Sequence, residues 1–384
     1  MVKYHVWQPY LALTEMATVR SQVLATVCVH SLPGLRASVR LQARHARRAL
    51  SSAAHRVRAQ SESHVDIAEI DKGIYRGPSE SLWVPPGGRG VFGGQVIGQA
   101  LHAATLTVAG TETGARLAHS LHAYFLQPGN PKHDVIYKVR DTSDRRSFAS
   151  RTVEAVQRGE VIFKMGASFC NARESSPLAH QRPMPDVPPP DGLPTLADVL
   201  AGLLRRMPEG PAAKLRETAA KFPLDLRFIT EPPDLLDPAP TPRAPRQQLW
   251  VRVAQPLGEQ RGHHAAAAAY FSDYALLTTA MLPHGVQIGS PRMGAVASLD
   301  HSLWFHTADF RADEWLLYDM ESPWAACGRG LAFGHLYTQQ GKLAISCAQE
   351  GVMRLAKPSV KRPVSTAARW FADLVMQANK RWGS

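Results

Sequence analysis

The feature that most constrains this chain is that it repeats itself. His119-Ser120-Leu121 returns as His301-Ser302-Leu303, and the step from 119 to 301 is 182 residues. Gln157-Arg158-Gly159, followed by Val161-Ile162-Phe163, returns as Gln339-Gln340-Gly341, followed by Leu343-Ala344-Ile345; 157 to 339 is again 182. Two matches at one spacing mark a duplicated unit of domain size. A chain of 384 residues has room for two such units, each with an ordinary core.

In the first unit, 65–172, Val91 to Val108 reads as a helix, with Ile97, Leu101, Ala104 and Val108 at helical spacing. Gly93, Gly94 and Gly98 lie on it or at its entry. Glycine inside a helix costs ~1 kcal/mol relative to alanine, so three of them imply close approach of other backbone, which a sheet gripping the helix would supply. Strand-like runs follow at Leu117–Leu126, Asp134–Val139, Ser147–Val156 and Val161–Phe169. The second unit, 223–356, has the same order. It reads as strands at Leu224–Ile229 and Gln247–Val253, a helix near Asp273–Met281 stopped by Pro283, then strands at Val296–Phe305, Glu314–Met320, Gly330–Tyr337 and Leu343–Arg354. A helix followed by a meander of strands is an α+β pattern with an antiparallel sheet packed on the helix. Residues 173–222 read as a proline-rich linker holding a short amphipathic segment at Leu196–Met207, and a second proline-rich insert falls at 232–245.

Residues 1–60 stand apart. They carry nine Lys/Arg against the single acidic Glu15, a charge of +8 out of the chain's +12, so the other 324 residues hold only +4. That remainder carries no basic stripe with interleaved aromatics, which speaks against nucleic acid as a partner. The Arg, Ser and Ala content of 1–60 fits a mitochondrial-type transit peptide or an unstructured extension. The apolar run Val23–Val29 is far short of the ~20 residues a membrane span needs. The tail, 357–384, ends Arg381-Trp382-Gly383-Ser384, which is not a Ser-Lys-Leu type address. Cys28, Cys170, Cys327 and Cys347 form no close pair, so neither a zinc knuckle nor a disulfide framework is expected.

Three segments of the second unit set polar side chains among apolar ones: Phe271-Ser272-Asp273-Tyr274, Val296-Ala297-Ser298-Leu299 and Cys347-Ala348-Gln349-Glu350. Asp273 falls at the expected start of a helix, where a carboxylate caps free N–H groups; a capping role and a chemical role both stay open. Ser298 and Gln349 lie on apolar strands, where an unpaired polar group costs ~1–3 kcal/mol, so each needs a partner. Together an Asp, a hydroxyl and an amide are able to hold and deprotonate a water for hydrolysis, with no covalent intermediate. Backbone N–H groups at Gly93 and Gly94 are candidates for polarising a carbonyl. His119 and His122 are reserve bases, His119 being also an oxyanion or substrate candidate; Asp300-His301 resembles half a dyad whose members point to opposite faces of a strand, and His263-His264 reads as a surface pair. No GxSxG elbow, phosphate loop, GxGxxG fingerprint or HExxH helix is present.

At these residues the chain resembles the acyl-CoA thioesterase II family, including its peroxisomal eukaryotic members. The resemblance is carried by Val91-Phe92-Gly93-Gly94-Gln95-Val96-Ile97-Gly98-Gln99-Ala100-Leu101, His119–Gly129, Ser298–His306, Glu314–Ser322 and Ala348-Gln349-Glu350-Gly351-Val352-Met353-Arg354, over residues 65–356. It implies a tandem double hotdog, two antiparallel sheets each wrapped around a central helix. It also implies an acyl-CoA substrate, hydrolysis without a metal or redox cofactor, and a catalytic trio falling on Asp273, Ser298 and Gln349. Bacterial members often carry Thr where this chain has Ser298. The first half lacks the full trio, which implies one active site per tandem pair. A non-catalytic acyl-CoA-binding protein on the same scaffold is the alternative reading, and a homo-oligomer is left open. The resemblance points to the peroxisomal matrix, the leader composition to mitochondria.

Overall fold

The computed structural model describes residues 64–86, 88, 90–108, 116–171 and 177–356, so the basic leader and the C-terminal tail lie outside the described residues. Two helices run through the core. Helix α1 (Gly93–Val108) and helix α4 (Arg261–Ser272) are buried over most of their length. Helix α4 contains the run Ala265–Ala269, and alanine has the highest helix propensity of any residue.

The helices lie antiparallel, back to back. A Cβ added to Gly94 would stand 2.1 Å from the Tyr270 carbonyl oxygen, and one on Gly98 2.8 Å from that of Ala266. At the other end, a Cβ on Gly262 would meet the Thr105 side chain at 2.6 Å. The close approach that the glycines imply is therefore to the second helix, not to a sheet. Small residues on both faces let two backbones come nearer than ordinary side chains allow, as ridges and grooves flatten.

Among the described residues, one antiparallel sheet of thirteen strands runs around this pair. The first half contributes β1 (Ala68–Asp71), β2 (Ile74–Gly77), β3 (Arg116–Phe125), β4 (Val135–Asp144), β5 (Phe148–Gln157) and β6 (Glu160–Asn171). The second contributes β7 (Leu224–Phe228), β8 (Arg246–Val253), β9 (Met293–Ser298), β10 (Asp300–Phe305), β11 (Leu316–Ala326), β12 (Arg329–Thr338) and β13 (Leu343–Leu355). The order is β1-β2-β4-β5-β6-β3-β10-β13-β12-β11-β8-β7, with β9 on β13. Read outward from the centre, each half lists the same strands in the same sequence. Strand β3 pairs with β10, and Leu121 faces Leu303 across that seam. The residues that announce the repeat thus sit on the pseudo-twofold relating the halves. Two separate sheets are the expectation; the seam makes them one, because pairing β3 with β10 covers the open edge that each half would otherwise expose.

The strand expected over Val296–Phe305 is broken at Leu299. Its N–H donates to the Glu350 carbonyl at 2.9 Å and its carbonyl accepts from Phe125 N–H at 2.9 Å, so β9 and β10 are laid end to end along β13 with a kink between. Ser298 is the last residue before that kink.

The proline-rich connection is structured. Met184, Val187 and Leu193 pack against Trp250, Leu317 and Tyr337, and the Trp250 indole N–H donates to the Pro188 carbonyl at 2.9 Å. Helix α2 (Leu196–Leu204) opens on a capping box between Thr195 and Asp198. Helix α3 (Glu209–Ala220) follows, and Leu203, Met207, Ala212 and Leu215 form a small core between the two. Among the described residues, no helix is long and apolar enough to cross a membrane.

Candidate active site

Asp273 is not at the start of a helix. It is the C-cap of α4, and the next helical turn is a 3-10 segment, Leu277–His284. The alanine run that builds α4 has no contrast of apolar and polar faces, so periodicity passes over it and fastens on the apolar residues beyond Asp273. The consequence is electrostatic. At the C-terminus of its own helix a carboxylate meets the negative end of the dipole. The compensation comes from α1, whose N-terminus faces it: Gly94 N–H donates to Asp273 Oδ2 at 2.8 Å. A Cβ on Gly93 would stand 2.9 Å from the same oxygen, so the carboxylate also depends on the missing side chain there.

The other carboxylate oxygen is held from the sheet. Gln349 Nε2 on β13 donates to Asp273 Oδ1 at 2.5 Å and to Ser298 Oγ on β9 at 3.0 Å. Ser298 pairs with Gly351 across the two strands, two residues from Gln349 and hence on the same face. Elements distant in sequence meet here: α1 and β13 hold the carboxylate of α4 directly, and β9 joins them through Gln349.

Burial pushes the Asp273 carboxyl above the ordinary carboxylate range, and the hydrogen bonds from Gln349 and Gly94 pull it partly back. The groups around it are neutral. Burial raises the Tyr318 hydroxyl well above its ordinary value and the Cys347 thiol to about 12. The last turn of α4 is clamped from behind: Tyr318 donates to the Ser272 carbonyl at 2.5 Å. Ser272 Oγ donates to the Ala269 carbonyl, so His301 Nε2, 2.9 Å from that hydroxyl, carries the proton and donates to it. Burial lowers the His301 pKa to about 3, which fixes it as a neutral support.

Asp273 and Ser298 line a cavity of about 1490 Å³, whereas Gln349 is fully buried behind them. Gly93 and Phe92 from the entry to α1 form one wall, Leu277 and Met281 another, and Leu215 of α3 with Phe222 just beyond its end a third. Sequence reading missed this third wall. Leu215, Ala219 and Phe222 recur at helical spacing, but the surrounding prolines masked the signal.

The histidines named as reserve bases lie elsewhere. His119 Nε2 is 2.8 Å from Ser168 Oγ, with its ring edge-on to Phe148, and His122 Nδ1 is 3.0 Å from Ser302 Oγ. Neither lines the cavity. Asp300 accepts the Glu350 N–H at 2.8 Å while His301 turns inward to Ser272, so the two do use opposite faces. His263-His264 is not a surface pair. His264 is buried and bonded to Ala312 N–H and the Gly258 carbonyl, because the first turn of α4 is sunk into the core, and His263 packs on His102.

Residues 81–170 match the family model described as acyl-CoA thioesterase N-terminal domain, and residues 185–353 the one described as acyl-CoA thioesterase C-terminal domain. The chain belongs to the acyl-CoA thioesterase II family. It is 41% identical to human acyl-coenzyme A thioesterase 8, over 77% of this chain and 89% of the relative. It is also 23% identical to peroxisomal acyl-coenzyme A thioester hydrolase 1 of Saccharomyces cerevisiae, over 70% and 86%. The crystal structure of acyl-CoA thioesterase II TesB2 from Mycobacterium marinum is 38% identical, with a TM-score of 0.57 over 78% of this chain and 98% of that one. A hotdog-fold protein from Alicyclobacillus acidocaldarius shares the fold at 18% identity, with a TM-score of 0.56 over 77% and 97%. Like its family, this thioesterase is a hydrolase acting on acyl-CoA.

Proposed function

We propose that Asp273 is the general base of a water-mediated hydrolysis in a tandem double hotdog, with Ser298 and Gln349 fixing the water and the base. Water oxygen attacks the thioester carbonyl carbon while Asp273 takes its proton. The carbon–sulfur bond then breaks, and the leaving CoA thiolate takes that proton back from Asp273, giving free fatty acid, CoA and the ionised base. What supports this reading is the convergence: both Asp273 oxygens are held by groups distant in sequence, while the residue itself opens with Ser298 on the cavity. Gly94 N–H is engaged by Asp273, so its part is to hold the base. Gly93, at the cavity wall, is the remaining candidate of the pair for polarising the carbonyl. The apolar walls suit an acyl chain, and the cavity exceeds the ~300–1,000 Å³ of ordinary small-ligand sites, as a CoA thioester requires.

Ser298→Ala and Gln349→Ala are each expected to cut kcat per folded molecule more than roughly tenfold, a modest share of what general-base assistance supplies; Ser298→Ala changes the melting temperature little, whereas truncating the buried Gln349 also lowers it. Steady-state hydrolysis of a long-chain acyl-CoA, read beside thermal unfolding, decides it. A structural role for either residue instead lowers the melting temperature and leaves turnover per folded molecule near wild type.

The family resemblance and the yeast relative favour the peroxisome as the site of action; the basic leader favours mitochondria. Imaging the protein with a C-terminal tag, beside a form lacking residues 1–60, separates them. Deleting 1–60 is expected to leave specific activity unchanged and, if the leader directs import, to abolish mitochondrial signal. Loss of turnover in the shortened protein would show the leader to be part of the catalytic body.

A further inference from the structure

At the end of the α1/α4 pair opposite Asp273, three side chains from three segments converge. His102 comes from α1, His263 from the first turn of α4 and Asp66 from the stretch before β1, and one ligating atom of each lies within 4.8 Å of the other two. His263 Nε2 is 3.1 Å from an Asp66 carboxylate oxygen, yet it is buried with no hydrogen bond of acceptable direction. The two imidazoles lie face to face, their centroids 5.0 Å apart and their planes 16° from parallel.

His102 Nδ1 is 2.9 Å from the Val65 carbonyl oxygen. A carbonyl only accepts, so Nδ1 carries the proton and Nε2 keeps its lone pair, the way a backbone carbonyl orients a metal-ligating histidine. Two imidazoles and one carboxylate suit a borderline divalent ion such as zinc, whereas calcium and magnesium prefer oxygen throughout. Around tetrahedral zinc, with ligands at ~2.0–2.2 Å, neighbouring ligand atoms stand about 3.3 Å apart. Reaching that from the observed spacing requires the stacked imidazoles to turn until their in-plane lone pairs converge.

We propose that Asp66, His102 and His263 form a binding site for a divalent transition metal of the zinc class, which clips the segment before β1 to the far ends of both core helices. His263 and Asp273 are ten residues apart on α4, or about 15 Å at ~1.5 Å per residue, so the ion takes no part in hydrolysis.

The test uses the full-length protein stripped of metal by chelation, then titrated with Zn²⁺ and, separately, Co²⁺. The expected result is visible d–d absorption from bound Co²⁺, a rise in melting temperature of about 4 °C or more with saturating Zn²⁺, and unchanged kcat. Both signals should be lost in His263→Gln and in Asp66→Asn, each checked by circular dichroism to be folded. No absorption and no shift in the wild type would overturn the site. So would signals that persist in both variants, because the ion would then sit elsewhere. A melting temperature that ignores both metals and falls equally in His263→Gln and Asp66→Asn would reduce the cluster to an Asp66–His263 ion pair.

Discussion

Replacing Asp273 with asparagine is expected to lower kcat by at least about 10², the lower end of what general-base assistance supplies, while leaving the melting temperature at pH 7 equal or higher. The first half of that outcome follows from chemistry: asparagine accepts the Gly94 N–H but takes no proton from water. The second follows from linkage. Burial raises the folded-state pKa of Asp273 above its unfolded value of ~3.9. Below the unfolded value the carboxyl is protonated in both states and costs nothing. As pH rises from there through the folded value, the unfolded chain ionises first, and stability is lost. Asparagine escapes that cost. Its amide also fits, because Gln349 can turn its own amide and present Oε1, which is buried without a hydrogen-bond partner. The stability difference should vanish below about pH 4. In the wild type, kcat should fall as pH drops through an acidic limb above the ordinary Asp range. A folded Asp273→Asn enzyme with wild-type kcat would end the mechanism.

The second large effect belongs to a residue with no functional atom beyond its backbone. Gly94→Ala is expected to cost about 3 kcal/mol or more, at the upper end of overpacking penalties, and to lower kcat as well. In a helix, alanine ordinarily gains up to ~1 kcal/mol over glycine, so the predicted sign is the reverse of propensity. The added Cβ would stand 2.1 Å from the Tyr270 carbonyl oxygen, and backbone yields far less readily than a side chain. Separating α1 from α4 would also move the N–H that holds Asp273 Oδ2. Gly166→Ala on β6 is the control, since a Cβ there meets nothing within 4 Å. Urea unfolding and steady-state kinetics on both variants read the two consequences. Gly94→Ala at or above wild-type stability would show that the helices are not locked by that contact.

The repeat, the strands and the trio were legible because each leaves a local mark. Alternating burial set β5 and β6 within a residue or two of where the pattern put them. Polar residues stranded in apolar runs marked Asp273, Ser298 and Gln349 as needing partners. The helix bearing Asp273 is hard to place for an equally local reason, since five alanines make a helix by propensity but show no face. The α3 wall of the cavity was hidden in proline-rich sequence.

What the chain by itself determined is composition in space: two equivalent units, a set of antiparallel strands in each, and which side chains cannot be left alone. What only the tertiary structure decided is who their partners are. That α1 closes on α4, that β3 meets β10 at Leu121 and Leu303, and that a carboxylate at the wrong end of its own helix is held by the N-terminus of another are all long-range contacts. Such contacts carry no period and no spacing in sequence. They are set by which buried surfaces and open edges fit together once both halves have formed, and the acidity of Asp273, on which hydrolysis rests in our reading, follows from that fit alone.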